Sequence, residues 1–528
     1  MLVPAMAAHT QRIRLGTAVC LLPLHQPREV MGHTQDQARY RYSLGKGEAM
    51  VFHEYEQYDA LGLAELVRQR QVTPLELLEA AMARVEARDG TINAVVTPMY
   101  DQARDAIAAG LPAGPLTGVP FMLKDLGVFY AGVRTSNGSR IFADFVADHD
   151  STLVARYKAA GLVIMAKTNT PELGLAATTE PQLFGPTRNP WSVAHSAGGS
   201  SGGAAAAVAA GYLPMAHATD GGGSIRIPAS KCGLFGLKPS RGRNPAGPDL
   251  GEGLAGMATG HCVSRSVRDS AALLDATHGR APGDPYAAPV LPRPLLDEVG
   301  APPGRLRIAV CTTDYLGKPI HPACAAAVEA TAQLCASLGH DIEEARPDFA
   351  GLPLSRAWRV IPAANLWLNV NARARALGRE PVPGDVEPLT WAWMQEGRRF
   401  TAAEYMETVA IMHSLGRRMA AFLEDYDLLL TATLARPPLQ LGEMDMTSDD
   451  VERYVALLFD EVAPLTPLFN QTGGAAMSVP LAWPPDGLPI GVQFAAGLGD
   501  EPTLIRLAAQ LEQAQPWAQR RPPVTTIA

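Results

Sequence analysis

Cysteine is scarce in this chain. The 528 residues hold six, Cys20, Cys232, Cys262, Cys311, Cys324 and Cys335, with no CxxC pair and no His/Cys cluster. That scatter excludes a disulfide framework and a zinc site, and fits reduced thiols in a cytoplasm. Charge is also thin, at 19% of residues, with 45 Lys and Arg against 53 Asp and Glu. The net −8 is spread without a basic run or polycationic tail, so nucleic acid is not an expected partner. The longest small and apolar run, residues 202–218, is mostly Gly and Ala and contains Pro214. It is too weakly hydrophobic for a membrane span, so no membrane partner is expected. What remains, 47% apolar residues, is globular composition.

Arg12 and Arg14 precede a short apolar stretch, Leu15 to Leu24. Pro23 interrupts it, and His25, Gln26 and Pro27 stand where a small-residue cleavage site belongs, so it does not read as a secretory leader. Instead the run IRLGTAVCLLPLHQP resembles a piece of the luciferase-like flavin monooxygenases, over residues 3–47 only. A barrel of that kind needs eight strand–helix units and more than roughly 200 residues, so the piece cannot hold the fold or a flavin by itself. The expectation is a leader at 1–49, from a misassigned start or a fusion remnant, followed by one working domain at 50–528. A chain beginning at Met50 is expected to keep its activity and melting temperature. Failure of that shortened chain to fold would favour a docked N-terminal strand instead.

Beyond the leader, apolar residues recur at helical spacing from Leu63 to Val85, and Thr73, Pro74 and Glu76 form a capping box with proline at the first helical position. Short apolar runs at Val119–Leu123, Leu162–Ala166 and Arg307–Val310 read as buried strands, with a helix from Ser151 to Ala160 between the first two. Pro228 to Leu237 leads into another strand, residues 279–304 are a proline-rich connection, and 350–454 reads as helical with Trp358, Trp367, Trp391 and Trp393. Strands return at Met477–Pro480 and Gly491–Phe494, and a helix from Glu501 to Ala514 closes the chain. Strands alternating with helices predict an α/β fold with a mostly parallel or mixed sheet.

Three local features carry chemistry. Lys124 ends an apolar strand; Ser200 and Ser201 lie in a glycine–serine loop before an alanine-rich helix; and Gly221, Gly222 and Gly223 precede Ser224. Singly, each has an ordinary reading as a solvated lysine, a flexible loop or a turn. Together they fit one mechanism. A serine hydroxyl needs a neighbouring base to become a nucleophile. A lysine can be that base once burial among apolar groups favours its neutral form. Three glycines can turn successive backbone N–H groups toward one point, where they stabilise a developing oxyanion.

The blocks GGSSGGAAAAVAAG (198–211) and DGGGSIRIPASKCGLFGLKPSRGR (220–243) resemble the amidase signature family of Ser–Ser–Lys hydrolases, and the likeness runs from about residue 55 to the C-terminus. KTNTPELG (167–174), TEPQLFGPTRNPW (179–191) and FNQTGG (469–474) extend it, and the whole pattern is most like the nylon-oligomer branch. The resemblance implies a mixed β-sheet core flanked by helices, with a helical layer over the active site. It implies Lys124 as base, Ser200 as a bridging serine on a cis peptide bond, and Ser224 as nucleophile. It places the oxyanion hole on the backbone of Gly221, Gly222, Gly223 and Ser224, with Ser201, Asp220 and Arg226 in support. It implies hydrolysis of a small-molecule amide, anilide or carbamate, linear or cyclic, without metal or organic cofactor. Ala432 and Ala475 stand where family members often carry proline, which bears on pocket shape. Chains of this size are often homodimers.

Other readings are weaker. Residues 198–202 spell G-x-S-x-G, but an α/β-hydrolase needs a later acid and histidine in order, and His217, His261, His278, His321, His340 and His413 have no such setting. Ser43 to Lys46 matches S-x-x-K without its companion motifs. The glycine loop lacks the Lys-Ser/Thr of a phosphate loop, and His53-Glu54 lacks the second histidine of a zinc helix. Two other classes stay open: an amidotransferase subunit that needs partner subunits, and a catalytically dead binding protein, against which all three reactive residues stand.

Overall fold

The computed structural model describes residues 52–485 and 487–526. The expectation for the 1–49 leader lies outside the described residues. So does the S-x-x-K at 43–46.

The described residues contain β1 (Val95–Pro98), β2 (Pro120–Lys124), β3 (Val163–Thr168), β4 (Arg188–Asn189), β5 (Ser192–Ser196), β6 (Met215–Asp220) and β7 (Phe235–Lys238). They continue with β8 (Thr259–Ser264), β9 (Arg307–Val310), β10 (Asp341–Glu344), β11 (Leu428–Ala432), β12 (Ala476–Ala482) and β13 (Ile490–Ala495). Eight form one sheet in the order β10-β9-β11-β13-β12-β7-β8-β6. The sheet is mixed: β9 runs parallel to β10 and β11, and the other pairs are antiparallel. A second sheet, β1-β3-β2, brings β2 alongside β6 at the end of the first. This juxtaposition sets the end of β2, with Lys124, against the end of β6, with Asp220.

Local chemistry explains the helix starts. Thr73 Oγ1 accepts from the Glu76 N–H at 3.2 Å while Glu76 Oε2 accepts from the Thr73 N–H at 2.7 Å, so helix Pro74–Ile92 opens on the expected capping box. Helix Gly202–Ala209 is buried at every residue, which only small side chains permit between close-packed backbones. Helix Glu501–Ala514 has the bounds read from the sequence. The 279–304 connection holds only a short 3-10 turn, Leu295–Glu298.

The helical layer comprises Arg356–Ala376, Pro388–Gly397 and Ala402–Asp425. Its own apolar cluster includes Trp358, Ile361, Leu389, Trp393 and Met412. The stretch read as helical is interrupted where residues 428–432 form β11 inside the large sheet, and helix returns at Val451–Ala456. All five residues of that strand are buried. A short run apolar on both faces carries no period that separates strand from helix. The five described cysteines are free thiols and buried. Among the described residues, no helix is long and apolar enough to cross a membrane.

Candidate active site

Lys124 is the last residue of β2 and is fully buried. Its Nζ lies 2.7 Å from Ser200 Oγ and 2.9 Å from Thr219 Oγ1. Burial pulls the Lys124 amine down from 10.5 to about 7, with the Asp220 carboxylate pulling the other way. A neutral amine has two N–H donors and one lone pair. Donation to Thr219 Oγ1 leaves the lone pair free to accept the Ser200 hydroxyl proton. Ser200 is 2% exposed, and the Gly199–Ser200 peptide bond is cis. A Cβ at Gly199 would stand 2.3 Å from the Thr178 carbonyl oxygen, so only glycine fits there.

Ser224 follows the glycine turn and is half-buried. Among the described residues its hydroxyl has no hydrogen-bond partner. Gly223 has φ +130°, open to glycine and strained for any other residue. Its N–H donates to Asp220 Oδ1 at 2.7 Å, so that donor is already engaged. The N–H groups of Gly221, Gly222 and Ser224 have no protein acceptor among the described residues. Unengaged N–H groups in a glycine turn are the kind of donors that can receive an anion. Lys124 Nζ thus meets Ser200 Oγ and Thr219 Oγ1, and the glycine turn with Ser224 begins two residues after Thr219.

The sequence matches the family "Amidase" over residues 76–505, well over half of the chain. It is 40% identical over 475 residues to the 6-aminohexanoate-cyclic-dimer hydrolase of Pseudomonas sp. strain NK87, covering 88% of this chain and 96% of that protein. The structure of a 6-aminohexanoate cyclic dimer hydrolase complexed with substrate superposes with a TM-score of 0.85 at 38% identity, covering 89% of this chain and 100% of that one. A bacterial aryl acylamidase of the amidase signature family superposes at 0.80 with 28% identity, covering 89% and 98%. The chain belongs to the amidase signature family. It is a hydrolase of C–N bonds other than peptide bonds, and these relatives favour that reading over the amidotransferase one.

The amidase holds its glycine turn from behind with an ion pair. Arg226 Nε donates to Asp220 Oδ2 and Nη2 to Asp220 Oδ1, both at 2.9 Å, and neither side chain is exposed. Burial pushes the Asp220 carboxyl up, but Arg226, aided by Lys238 and Asn470, outweighs it and holds the group at about 2. Arg226 also donates to the Thr466 carbonyl at 2.8 Å, Gln493 Oε1 at 2.6 Å and Asn470 Oδ1 at 2.7 Å. A buried pair with its remaining donors satisfied is rigid, and loss of one partner leaves the other charge uncompensated. Ser201 Oγ accepts the Thr219 N–H and donates to the Thr219 carbonyl, both at 3.2 Å, tying helix Gly202–Ala209 to β6.

Several residues of this site carried no sequence signal strong enough to single them out. Thr219 and His217 alternate on β6 and so face one side, the side that meets β2. His217 Nδ1 accepts the Lys124 backbone N–H at 3.2 Å. Burial, then the Lys124 charge, pulls the His217 imidazole to about 3, so it stays neutral and anchors the Lys124 backbone. Among the described residues no histidine hydrogen-bonds Ser200, which removes the α/β-hydrolase reading. Of the four tryptophans in the helical layer, Trp358 reaches the turn: a Cβ at Gly222 would stand 2.8 Å from its ring. Trp358 stacks on Phe459 at 5.1 Å between centroids. Trp393 lies in the layer's core with its Nε1–H on the Arg359 carbonyl at 3.2 Å, and Arg398 covers Trp367 at 5.2 Å.

Proposed function

We propose that this amidase hydrolyses uncharged amides with an apolar chain beside the scissile carbonyl, cyclic oligoamides foremost, through an acyl-enzyme on Ser224. The 2.7 Å approach of the buried Lys124 amine to Ser200 Oγ is the observation that carries the mechanism. Ser224 Oγ attacks the carbonyl carbon while its proton passes to Ser200, whose own proton goes to Lys124. The N–H groups of Gly221, Gly222 and Ser224 receive the negative charge that develops on the carbonyl oxygen. The C–N bond breaks, and the leaving nitrogen takes the proton back along the same path. Water then attacks the ester, again giving a proton toward Lys124, and the acid leaves.

The substrate class rests on two supports. The 6-aminohexanoate-cyclic-dimer hydrolase of Pseudomonas acts on a cyclic amide dimer, in the words of its name, and shares 40% identity over 96% of its length. The Trp358–Phe459 stack and Leu254, whose side chain would lie 2.9 Å from a Cβ at Gly221, give the turn an apolar wall. Amine release should be measured across cyclic oligoamide, linear amide, anilide and carbamate substrates. Cyclic oligoamide is expected to give the highest kcat/KM, and a clear preference for anilides would overturn this substrate assignment. Removing the ring with Trp358→Ala is expected to raise KM for the cyclic amide about ten-fold with little change in kcat. One lost aromatic wall is worth about 1–2 kcal/mol of uniform binding. An unchanged KM would take Trp358 out of the substrate pocket.

A further inference from the structure

The glycine turn that receives the oxyanion is the most conformationally free stretch of the site, yet one of its peptide planes is gripped at both ends. The Gly223 N–H donates to Asp220 Oδ1 at 2.7 Å. The carbonyl oxygen of the same peptide unit, on Gly222, accepts from Thr466 Oγ1 at 2.8 Å. Thr466 is fully buried and comes from the far end of the chain, at the start of helix Pro467–Thr472. Its hydroxyl also packs on Gly223, where a Cβ would approach it to 2.4 Å, while its backbone carbonyl accepts from Arg226. The same short helix supplies Asn470, whose Nδ2 donates to Asp220 Oδ1 at 2.9 Å and to the Asp220 carbonyl at 3.1 Å.

We infer that Thr466 is a positioning residue for the oxyanion turn: its hydroxyl latches the Gly222–Gly223 peptide plane and so holds the Gly222 and Ser224 N–H groups toward the reacting carbonyl. The inference rests on the acyl-enzyme mechanism proposed above. The physical reason is the freedom of glycine. A 222–223 unit held by Asp220 alone can rotate about its N–H end, because no side chain on either residue opposes the rotation. Rotation would swing the Gly222 carbonyl, a negative dipole, toward the place where the substrate oxygen gains charge. It would also misalign the neighbouring donors. The Thr466 hydroxyl removes that alternative before substrate arrives, and preorganised donors lower the barrier because nothing need reorient during the reaction.

Thr466→Val keeps the shape and removes the donor. With the substrate turned over best by the wild type, kcat is expected to fall about 30- to 300-fold, somewhat less than the roughly 10²- to 10³-fold cost of losing an oxyanion donor itself, with KM changed less than about three-fold. Thr466→Ala should behave like valine, and Thr466→Ser, which restores the hydroxyl, should recover most of kcat. A trifluoromethyl ketone, which forms a tetrahedral adduct on the nucleophile, should lose affinity in the valine variant by about the same factor as kcat/KM. A merely structural role would lower the melting temperature without that selective loss. Retained kcat in Thr466→Val, equal losses in serine and valine variants, or unchanged inhibitor affinity each overturn the inference. Should the valine variant not fold, the alanine-to-serine comparison decides by the same readouts. Ser224→Ala run alongside separates the two levels: a wild type whose turnover survives that change refutes the mechanism itself, whereas loss in Ser224→Ala with full activity in Thr466→Val refutes only the latch.

Discussion

Ser224→Ala is expected to reduce amide turnover by roughly 10⁵-fold or more, the scale seen when a serine hydrolase loses its nucleophile. Two serines compete for that role, and their surroundings differ. Ser200 is 2% exposed, and its hydroxyl is engaged with the Lys124 amine. Ser224 is half-buried, its hydroxyl has no protein partner among the described residues, and its own N–H is unengaged like those of Gly221 and Gly222. In the proposed mechanism a carbonyl attacked by Ser224 Oγ brings its oxygen to those N–H groups, whereas Ser200, already on Lys124, serves as the link to the base. The experiment is steady-state amine release by wild type and variant, with mass spectrometry of the intact chain after a rapid quench. The wild type should show one acyl group per chain and the alanine variant none. An acyl group on Ser200, or turnover in Ser224→Ala within ten-fold of wild type, would assign the nucleophile elsewhere.

Lys124→Met is the second large effect, with an expected loss of about 10⁴-fold in kcat and a folded chain. Methionine matches the length of the lysine stem and suits an apolar surround, so the variant removes the base without burying a charge. The same amine should govern the pH profile of the wild type. Burial holds Lys124 at about 7 in the folded chain, far below its ordinary 10.5. Protonated, it has no lone pair for the Ser200 proton, so kcat/KM should fall as pH drops below about 7 and reach a plateau above about 8. His217 cannot produce that inflection, because burial holds it neutral down to about 3. Lys238 also sits at about 7, but its Nζ donates to the Pro239 carbonyl at 2.8 Å. A rise centred near 10 would mean that Lys124 stays charged and that the relay begins from some other group.

The parts of this enzyme that were legible in the sequence share one property: their residues are contiguous. The capping box of helix Pro74–Ile92 occupies four adjacent positions. The glycine turn and Ser224 lie in four, and the Asp220–Arg226 pair lies within seven. Lys124 could be marked because the apolar run before it announces burial. The helical reading of 350–454 held for three long helices and the start of helix Val451–Ala456, and failed at β11, where Leu428–Ala432 is apolar on both faces and its state depends on the strands beside it.

What only the tertiary structure decided lies across long separations. Thr219 and His217 became partners of Lys124 because β2 packs beside β6, more than ninety residues later in the chain. Trp358 became the wall of the turn because the helical layer folds over it. Thr466 and Asn470 hold the glycine turn from 244 and 250 residues away. A threonine before a short helix has no local mark of such a task, since its hydroxyl finds the Gly222 carbonyl only when helix Pro467–Thr472 docks behind the turn. The sequence by itself determined the candidate reactive groups and the glycine turn before Ser224, because both are written in neighbouring residues. The basicity of the lysine, the fixed plane of the glycine peptide and the apolar wall were decided by the tertiary structure, because desolvation and long-range hydrogen bonds exist only once the chain has packed.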